Sequence, residues 1–482
     1  MKTVIAISLI SLTMTGCASF RDYIQPETPE PVKATSLTND EMYRFASQQK
    51  PVAAWWHEFD DKQLVGLVEQ SLKTNLDVRI AYANLLEARS ISRALDSDRY
   101  PTVNATGGYS RNLSSRERSP NQPIEREFNN FQAGFDASWE LDVFGRVSAR
   151  IDAQQALEQA VDANLQQIYV TISAEVARSY FELRGAQYRL DIAERNAKNQ
   201  AETFQLTENM FEAGSSSALD ISRAETQLRI TRSTIPPLKA QITASINALS
   251  VLTGQVPDAL RSQLSVSKPL PSLPITVAVG NAEDLLKRRP DIRYAERQLA
   301  ATVSQYNLSV ADLFPSVNII GSLGFISTNL STFGTSALAG AIGPSISWQI
   351  FDRDRLYALI DQADARSQSA LAQYEKTVLG ALQETQTSIS NFSFEEQRRV
   401  ELQQAAASAQ KSVNMAKERF DSGYDNFLDV LDAERTLLGA EDSLANSEIT
   451  SGLNLIAIYK ALGGGWQVVN KQQPQNIKVD VK

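Results

Sequence analysis

Cysteine and histidine, on which many metal sites and nucleophilic enzymes depend, are almost missing, with one of each among 482 residues. Zinc sites built from Cys and His, disulfides, and Ser-His or Cys-His nucleophiles are therefore excluded, except for an arrangement using His57. His57 follows Trp55 and Trp56, where a packed or surface imidazole is the ordinary interpretation. No GxxxxGK[ST] phosphate loop occurs. We predict no catalytic residue, no metal site and no cofactor.

An excess of basic residues is also missing. The formal net charge is −9 and the pI is near 5.1, whereas nucleic-acid binding needs a basic face. The apolar run from Val4 to Leu12 is too short to span a bilayer as a helix. Because Lys2 precedes it and Gly16-Cys17 follows it, residues 1–16 are predicted to be a secretory signal.

The single cysteine has a position that indicates lipidation. Cleavage before Cys17 and acylation of its thiol and amine are typical of a bacterial lipoprotein, although Met14 stands where leucine is usual. The alternative is an ordinary signal with a chance cysteine. More than one acyl chain would make the anchoring stable.

The chain contains one unit twice. At an offset of 209 residues it repeats itself at Trp139 and Trp348, Phe211 and Phe420, Gly214 and Gly423, Leu219 and Leu428, Asp220 and Asp429, and Gly254 and Gly463. Upstream the offset is 214, at Asp77 and Asp291, Arg79 and Arg293, Pro101 and Pro315, and Gly107 and Gly321. A unit of about 210 residues is too long for a solenoid repeat, so the duplication predicts one architecture with pseudo-twofold symmetry.

Two segments of each repeat alternate apolar and polar residues. From Phe131 to Val143 every second residue is apolar or aromatic, and Asp136, Glu140 and Asp142 lie between them. Residues 103–110, 317–325 and 342–350 follow similar patterns. The alternation predicts strands with one apolar and one wet face. Polar connections around 111–128 and 327–338 make two hairpins.

A soluble sandwich is the alternative interpretation of these hairpins, but the helical remainder of the chain offers few strands to complete it. A transmembrane barrel has this alternation and needs about eight or more strands. Several chains are therefore predicted to share one barrel. If Trp139 faces lipid, Asp136, Glu140 and Asp142 face the lumen.

The apolar spacing from about 60 to 98 predicts a helical segment, and long helices follow the strands. From Arg146 to Phe211 there is neither proline nor a loop-like cluster, which predicts a helix of about 100 Å at 1.5 Å per residue. The second copy, from about 356 to 420, does the same. Gly214 and Gly423 suit helix C′ positions, and Ser217 followed by an acid suits an N-cap.

The return helices are expected to differ, because Pro236 and Pro237 should interrupt the first. The second return has no proline from Leu428 to Leu462.

The resulting fold class is mainly α with a membrane β-hairpin pair and an internally duplicated αββαα unit. The predicted segments are a signal peptide at 1–16, a lipidated tether at 17–59, a first repeat at 60–254, a linker at 255–280, a second repeat at 281–465 and a C-terminal tail at 466–482. The predicted strands are 100–111, 129–144, 314–326 and 340–351, and the long helices are 146–212, 217–253, 354–421 and 426–462.

Several segments resemble the TolC-like outer-membrane factors of tripartite efflux pumps, especially the lipoprotein branch. These are the lipoprotein start, WWHEFDDKQL at 55–64, ELDVFGR at 140–146, RRPDIRYAE at 288–296, FLDVLDAER at 427–435 and YKALGGGW at 459–466. The resemblance implies a homotrimer with a 12-stranded β-barrel that continues into a long α-helical periplasmic tunnel. It also implies outer-membrane lipid, a periplasmic adaptor and an inner-membrane pump, of RND type, as partners.

The resemblance also implies a periplasmic gate at the helix tips. The matching positions are Asp429 and Asp432, with Leu428 as an apolar gate residue. Asp429 fits a capping role equally well, because its repeat partner Asp220 is also acidic. Asp432 is not demanded by the duplication, since its partner is Arg223.

The tips should also contact the adaptor. The candidate contact residues are Gly214, Ser217, Leu219, Gly423 and Leu428.

The predicted function is a passive channel that conducts antibiotics, dyes or metals across the outer membrane of a Gram-negative cell. A duct for type I protein secretion and a non-conducting trimeric surface stalk are the alternatives. An enzyme is the weakest, since only scattered carboxylates remain for catalysis.

Overall fold

A computed structural model describes residues 20–24, 46–47, 49, 51–115, 127–274, 276–422, 424 and 427–469. Two compact units are present. The first contains residues 20–24, Asn84–Asp162 and Tyr294–Glu375. The second contains the described parts of Glu27–Ala83, Ala163–Arg293 and Lys376–Lys482.

The chain is mainly helical. The α-helices are α1 Lys62–Thr74, α2 Leu76–Asp96, α3 Arg146–Glu212, α4 Ala218–Leu252, α5 Arg261–Leu264, α6 Ala282–Arg288, α7 Pro290–Ala311, α8 Arg353–Asp421, α9 Phe427–Ala461 and α10 Trp466–Val469. The strands are β1 Ala46–Ser47, β2 Thr102–Leu113, β3 Glu127–Leu141, β4 Val277–Ala278, β5 Ser316–Ser327 and β6 Leu338–Ser347. Short 3₁₀ helices occupy Trp55–Phe59, Ser97–Arg99, Leu330–Thr332 and Thr335–Ala337.

The four long strands form one antiparallel sheet in the order β2-β3-β5-β6, which belongs to the first unit. A two-stranded parallel sheet of β1 and β4 lies in the second unit. The strand predicted to run to Val143 ends at Leu141. None of the helices among the described residues carries a stretch apolar enough to cross a bilayer.

The helical segment expected from about 60 to 98 is divided at Asn75. The backbone of Asn75 is extended, and its Oδ1 accepts hydrogen bonds from the N–H groups of Asp77 at 2.8 Å and Val78 at 3.3 Å. An asparagine that satisfies these first donors starts a new helix. The first repeat therefore has the order ααββαα, not αββαα, and the second repeat has it too, with α6 and α7 first.

The prolines at 236 and 237 do not interrupt the first return helix, so that expectation is wrong. Helix α4 continues through both over its 35 residues, the same length as α9. Helices α3 and α8 have 67 and 69 residues, or about 100 Å each at 1.5 Å per residue.

Each unit has its own apolar core. In the second, Trp55 and Phe59 are fully buried, Trp55 stacks on Tyr459 with ring centroids 5.0 Å apart, and Phe59 meets Phe181 edge-on at 5.1 Å. His57 lies on the surface beside them, with its side chain 53% exposed. In the first unit, one cluster contains Tyr306, Val310, Ile360 and Ala363.

Candidate functional site

The strand register keeps every apolar residue of the alternation on one face of the sheet. Phe135 pairs with Ala105 of β2 and with Leu323 of β5, and Leu323 pairs in turn with Gly340 of β6. This face, called the apolar face below, contains Val103, Ala105, Tyr109, Phe131, Ala133, Phe135, Ala137, Trp139, Leu141, Val317, Ile319, Leu323, Phe325, Leu338, Ile342, Pro344 and Ile346. A sheet with one continuous apolar face must cover it with lipid or protein.

The apolar face is open in the single chain. Tyr109, Phe135 and Leu323 are each about 60% exposed, and Ile342 is 84% exposed. The outer edges of β2 and β6 have no strand beside them among the described residues. An uncovered apolar face with two open edges is unusual for a protein that works as a separate chain in water.

The opposite face is polar, and two of the predicted lumen acids lie on it. Asp136 accepts a hydrogen bond from Thr106 Oγ1 at 2.9 Å across β2 and β3. Glu140 holds Arg146 through two hydrogen bonds of 2.7 and 2.8 Å. Arg146 also lies 3.6 Å from Asp312, so Glu140, Arg146 and Asp312 form one charge network.

The third predicted acid, Asp142, lies beyond the end of β3. Its carboxylate accepts hydrogen bonds from the N–H groups of Val147 at 2.8 Å and Ser148 at 2.9 Å. An acid that satisfies free donors at a helix start stabilises the helix. The sequence reasoning assigned Asp142 to the strand and missed this cap for α3.

The turn between α3 and α4 is a glycine-ended helix followed by a capped one. Gly214 has φ +76°, which favours glycine, and Ser215 N–H donates to Met210 O at 2.8 Å. Ser217 and Asp220 form a reciprocal capping box, which confirms the predicted N-cap. Leu219 is 57% exposed beside them. Gly214 and Ser217 thus have clear turn-forming roles.

The turn between α8 and α9 contains Gly423, which lies outside the described residues. Tyr424 N–H donates to Arg419 O at 2.9 Å, and Phe427 packs on Phe420 with ring centroids 5.6 Å apart. Leu428 is 40% exposed. Asp429, in the first turn of α9, is also exposed.

A groove of about 570 Å³ lies between the starting turns of the two return helices, α4 and α9. It is lined by Leu219, Ser222, Arg223, Thr226, Gln227, Leu428, Leu431, Asp432 and Arg435. Residues related by the 209-residue offset line this groove together, as Leu219 and Leu428 or Arg223 and Asp432 do. The predicted gate residues Leu428 and Asp432 therefore share one surface with the predicted adaptor residue Leu219.

Asp432 is paired within its own helix. Arg435 Nη2 lies 2.5 Å from Asp432 Oδ1, and both side chains are more than 60% exposed. Arg223 lies 3.9 Å from Asp220. The sequence reasoning missed Arg435, although its place three residues after Asp432 on a helix could have revealed it.

Two of the motifs that carry the family resemblance have structural roles. Arg289 donates to Ala461 O at 2.7 Å, and Trp466 Nε1 donates to Arg288 O at 3.1 Å. The RRPDIR and GGGW segments therefore meet at one junction in the second unit. Across the described ranges, no three His, Cys, Asp or Glu side chains come together in a way that could hold a metal ion. Cys17 lies outside those ranges.

Known proteins match nearly the whole chain. Residues 67–255 and 281–464 match the family described as outer membrane efflux protein. The cation efflux system protein CusC of Escherichia coli O157:H7 is 30% identical over 462 residues, covering 95% of this chain and 98% of CusC. The solvent efflux pump outer membrane protein SrpC of Pseudomonas putida is 29% identical over 465 residues, covering 95% and 97%.

A solved structure has the same fold. The outer-membrane channel OprN superposes with a TM-score of 0.87 at 36% sequence identity, over 94% of this chain and all of OprN.

Proposed function

The chain belongs to the outer membrane efflux protein family, and we propose on that basis that three copies join their sheets into one 12-stranded β-barrel. It is an outer-membrane channel of an efflux system and is located in the outer membrane of a Gram-negative cell. The family is one of channels, not of enzymes.

The observation that carries the trimer is the four-stranded sheet with its open apolar face and two open edges. Four strands are fewer than the eight or so that a membrane barrel needs. Because the strands alternate in direction and their number is even, β6 of one copy and β2 of the next run antiparallel. Closure therefore keeps the whole barrel antiparallel, with the apolar face towards lipid and Asp136 and Glu140 towards the lumen. Asp142 would lie at the lumen's edge while capping α3.

Two measurements test this proposal. We expect the purified protein in mild detergent to have the mass of three chains and to conduct ions when inserted into a planar lipid bilayer. A monomer in mild detergent would contradict it. A trimer that never conducts, even as the Asp432→Ala variant, would support the surface stalk instead.

The long helices are proposed to form the periplasmic tunnel, and their tips its gate. Three copies would bring Asp432, Asp429 and Leu428 around one axis. A ring of carboxylates there favours cations and resists close approach unless it is paired. The pair between Asp432 and Arg435 lowers that repulsion in this state. The gate would therefore depend on whether Arg435 keeps Asp432 as its partner.

The groove between α4 and α9 is proposed to receive a periplasmic adaptor. Leu219 and Leu428 offer exposed apolar side chains there, and Arg223, Asp432 and Arg435 surround them with charges of both signs. Apolar contacts with a charged rim are typical of a protein interface. Gly214, Ser217 and Gly423 would shape the turns beside it. The adaptor would connect the channel to an inner-membrane pump of RND type.

The transported compounds are proposed to be small molecules. CusC is named for cations and SrpC for solvents, and neither name decides the substrate of this chain. Deletion of the gene should sensitise the cell to some members of a panel of antibiotics, dyes and metals. Loss of a secreted protein with unchanged sensitivity would instead support the secretion duct.

Lipidation of Cys17 is proposed from the sequence, and residues 20–24 show how the following segment is held. Arg21 lies 2.5 Å from Asp364 and 4.0 Å above the ring of Tyr306. Asn307 exchanges two hydrogen bonds with the Arg21 backbone, at 2.7 and 2.8 Å. An acyl anchor would thus be attached close to a docked segment. Incorporation of labelled palmitate, lost in Cys17→Ser, tests it.

A further inference from the structure

The duplication extends from residues to individual contacts. Trp139 Nε1 donates to Arg99 O at 3.0 Å in the first repeat, and Trp348 Nε1 donates to Leu313 O at 3.0 Å in the second. The tryptophans are related by the 209-residue offset and the acceptors by the 214-residue offset. Applying the two offsets to the residues of a contact in one repeat therefore gives the residues of the corresponding contact in the other.

Between the two repeats, β3 and β5 form a junction inside the chain. Leu141 pairs with Val317 in the register. Below the strands, the rings of Phe144 and Phe314 stack with centroids 5.1 Å apart. Arg146 Nη1 lies 3.6 Å from Asp312 Oδ1. Strand pairing, an aromatic stack and a charge pair thus close this junction.

The two offsets map this junction onto the open edges of the sheet. Leu141 and Val317 become Ile350 and Val103, which are 52% and 61% exposed. Phe314 becomes Tyr100, which is 68% exposed, whereas Phe314 itself is half-buried. Resting on the trimer proposed above, we infer that β6 of one copy pairs with β2 of the next in the register of β3 with β5. Ile350 then lies opposite Val103 of the next copy.

The charged residues at these edges support the inference. Arg146 and Asp312 map onto Arg355 and Asp98, which keep the same two charges. Arg355 is 59% exposed at its side chain and Asp98 41%. In the single chain Arg355 pairs with Asp352, and Asp98 lies 3.4 Å from Arg150. Each can add a partner from a neighbouring copy.

Two residues of the inferred interface differ in type from their counterparts at the internal junction. Glu140, which holds Arg146 with two hydrogen bonds, maps onto Gln349, whose Oε1 lies 3.5 Å from Arg355. Gln349 therefore holds Arg355 less firmly than Glu140 holds Arg146. Phe144 maps onto Arg353, which would face Tyr100 of the next copy, and a guanidinium stacks well on an aromatic ring. The inferred interface thus contains an ion pair and a cation–π pair.

A disulfide scan tests the register. Ser347 is predicted opposite Thr106 of the next copy, with both on the polar face that the lumen's water and oxidant reach. Within one copy β2 and β6 are separated by two strands, so these positions lie at least about 14 Å apart at 4.8 Å per strand. A disulfide bridges Cα atoms up to about 7 Å apart, so any bond must join two copies. The matched control is Thr106→Cys with Ser345→Cys, which is shifted by two residues.

We expect Thr106→Cys with Ser347→Cys to give at least five times more covalent trimer on a non-reducing gel than the control pair. A second pair in the predicted register, Asn104→Cys with Gln349→Cys, should do the same if the first variant folds poorly. The unmodified chain, which keeps Cys17, provides the background. Equal or reversed yields in a protein that is still trimeric would overturn the register alone. A monomer without any crosslink would overturn the trimer as well.

Charge reversal tests the ion pair separately. Arg355→Asp should lower the temperature at which the trimer dissociates in SDS, and adding Asp98→Arg should restore more than half of the loss. Arg366→Asp, a reversal elsewhere on α8, should have a smaller effect. The ion pair would be contradicted if the double variant were no more stable than the less stable of the two single variants.

Discussion

The two repeats make the same junction with different chemistry. At the end of α4, Asn75 Nδ2 donates to Leu252 O at 3.0 Å, and at the end of α9, Arg289 Nη1 donates to Ala461 O at 2.7 Å. The donors and acceptors are related by the 214- and 209-residue offsets. Gly254 and Gly463, with φ +74° and +64°, end both helices. The backbone geometry was thus kept while the side chain changed.

The difference shows what a specific motif can mean. Asn75 is neutral and needs no counter-ion. Arg289 is 8% exposed, and its guanidinium is held by Asp291 at 2.7 Å and Glu384 at 2.8 Å. A buried charge has to be paired, and Asp291 and Glu384 supply that pairing for Arg289. The RRPDIR motif of the family resemblance is therefore a folding element.

The largest expected effect comes from removing this charge. Arg289→Ala leaves the Ala461 carbonyl and two carboxylates without their partner, and we expect a loss of about 3 kcal/mol in stability. Asn75→Ala leaves one carbonyl unsatisfied and also removes the cap of α2, which together should cost about 2 kcal/mol. Loss of helical circular dichroism on heating measures both. Equal losses would mean that the repeats do not differ in this way.

The sheet extends the comparison to its two faces. Ile342 on β6 is 84% exposed on the apolar face. Its counterpart in the first repeat, Ala133, is half-buried and lies on β3 with a strand on each side. Ile342→Arg should destabilise the inserted protein by about 2 kcal/mol per copy, because a charge would face lipid. Ala341→Arg, on the polar face, is the matched control and should cost much less. The fraction of SDS-resistant trimer reports the result, and a reversed order would place the faces the other way.

A smaller loss of stability is expected at the helix tips. Ser217→Ala removes the cap of α4 and should weaken its first turn by about 1 kcal/mol. Hydrogen exchange of the amides that start α4 should quicken, whereas those that start α9 should not change. The control is Ser215→Ala, because Ser215 lies in the same turn but does not cap α4. Unchanged exchange in Ser217→Ala would show that tertiary packing alone holds this tip.

A still smaller effect is expected from substitutions in the groove between α4 and α9. Asp432→Ala removes an exposed ion pair worth about 0.5 kcal/mol, which corresponds to roughly a twofold change in the ratio of open to closed channels. Arg223→Ala, at the position related by the repeat, should change conductance less. Single-channel recordings compare them. A larger effect of Arg223→Ala would move the gate from α9 to α4.

The smallest expected effect depends on pH. Hydrogen bonds from Ser217 hold the pKa of Asp220 below its ordinary value of 3.8. A lowered folded-state pKa adds stability that is complete above 3.8 and is lost as the pH falls through the folded pKa. Exchange at the start of α4 should therefore quicken below about pH 4 relative to Asp220→Asn. Parallel profiles for both proteins would contradict this assignment.

Sequence reasoning succeeded where a short-range pattern carries the information. The two-residue period assigned Trp139 and Ile342 to one face, because a strand has no other way to place alternate side chains. It failed where one or two side chains had to be weighed against the pattern. Asn75 divides a helix whose apolar spacing continues past it, and Pro236 and Pro237 remain within one helix. The assignments of Cys17 and Gly423 stay predictions.

The duplication is visible in the sequence alone. The long helices, the four strands and their faces also follow from it, since each of these depends on the spacing of residues close together in the chain. Contacts between different elements became known only from the folded chain, because no local pattern relates their residues. The ion pairs of Arg289 with Glu384 and of Arg146 with Asp312 are of this kind, and so is the groove that Leu219 shares with Leu428 and Asp432. The pairing of β3 with β5 belongs to the same class, and it is the pattern from which the contact between copies is inferred.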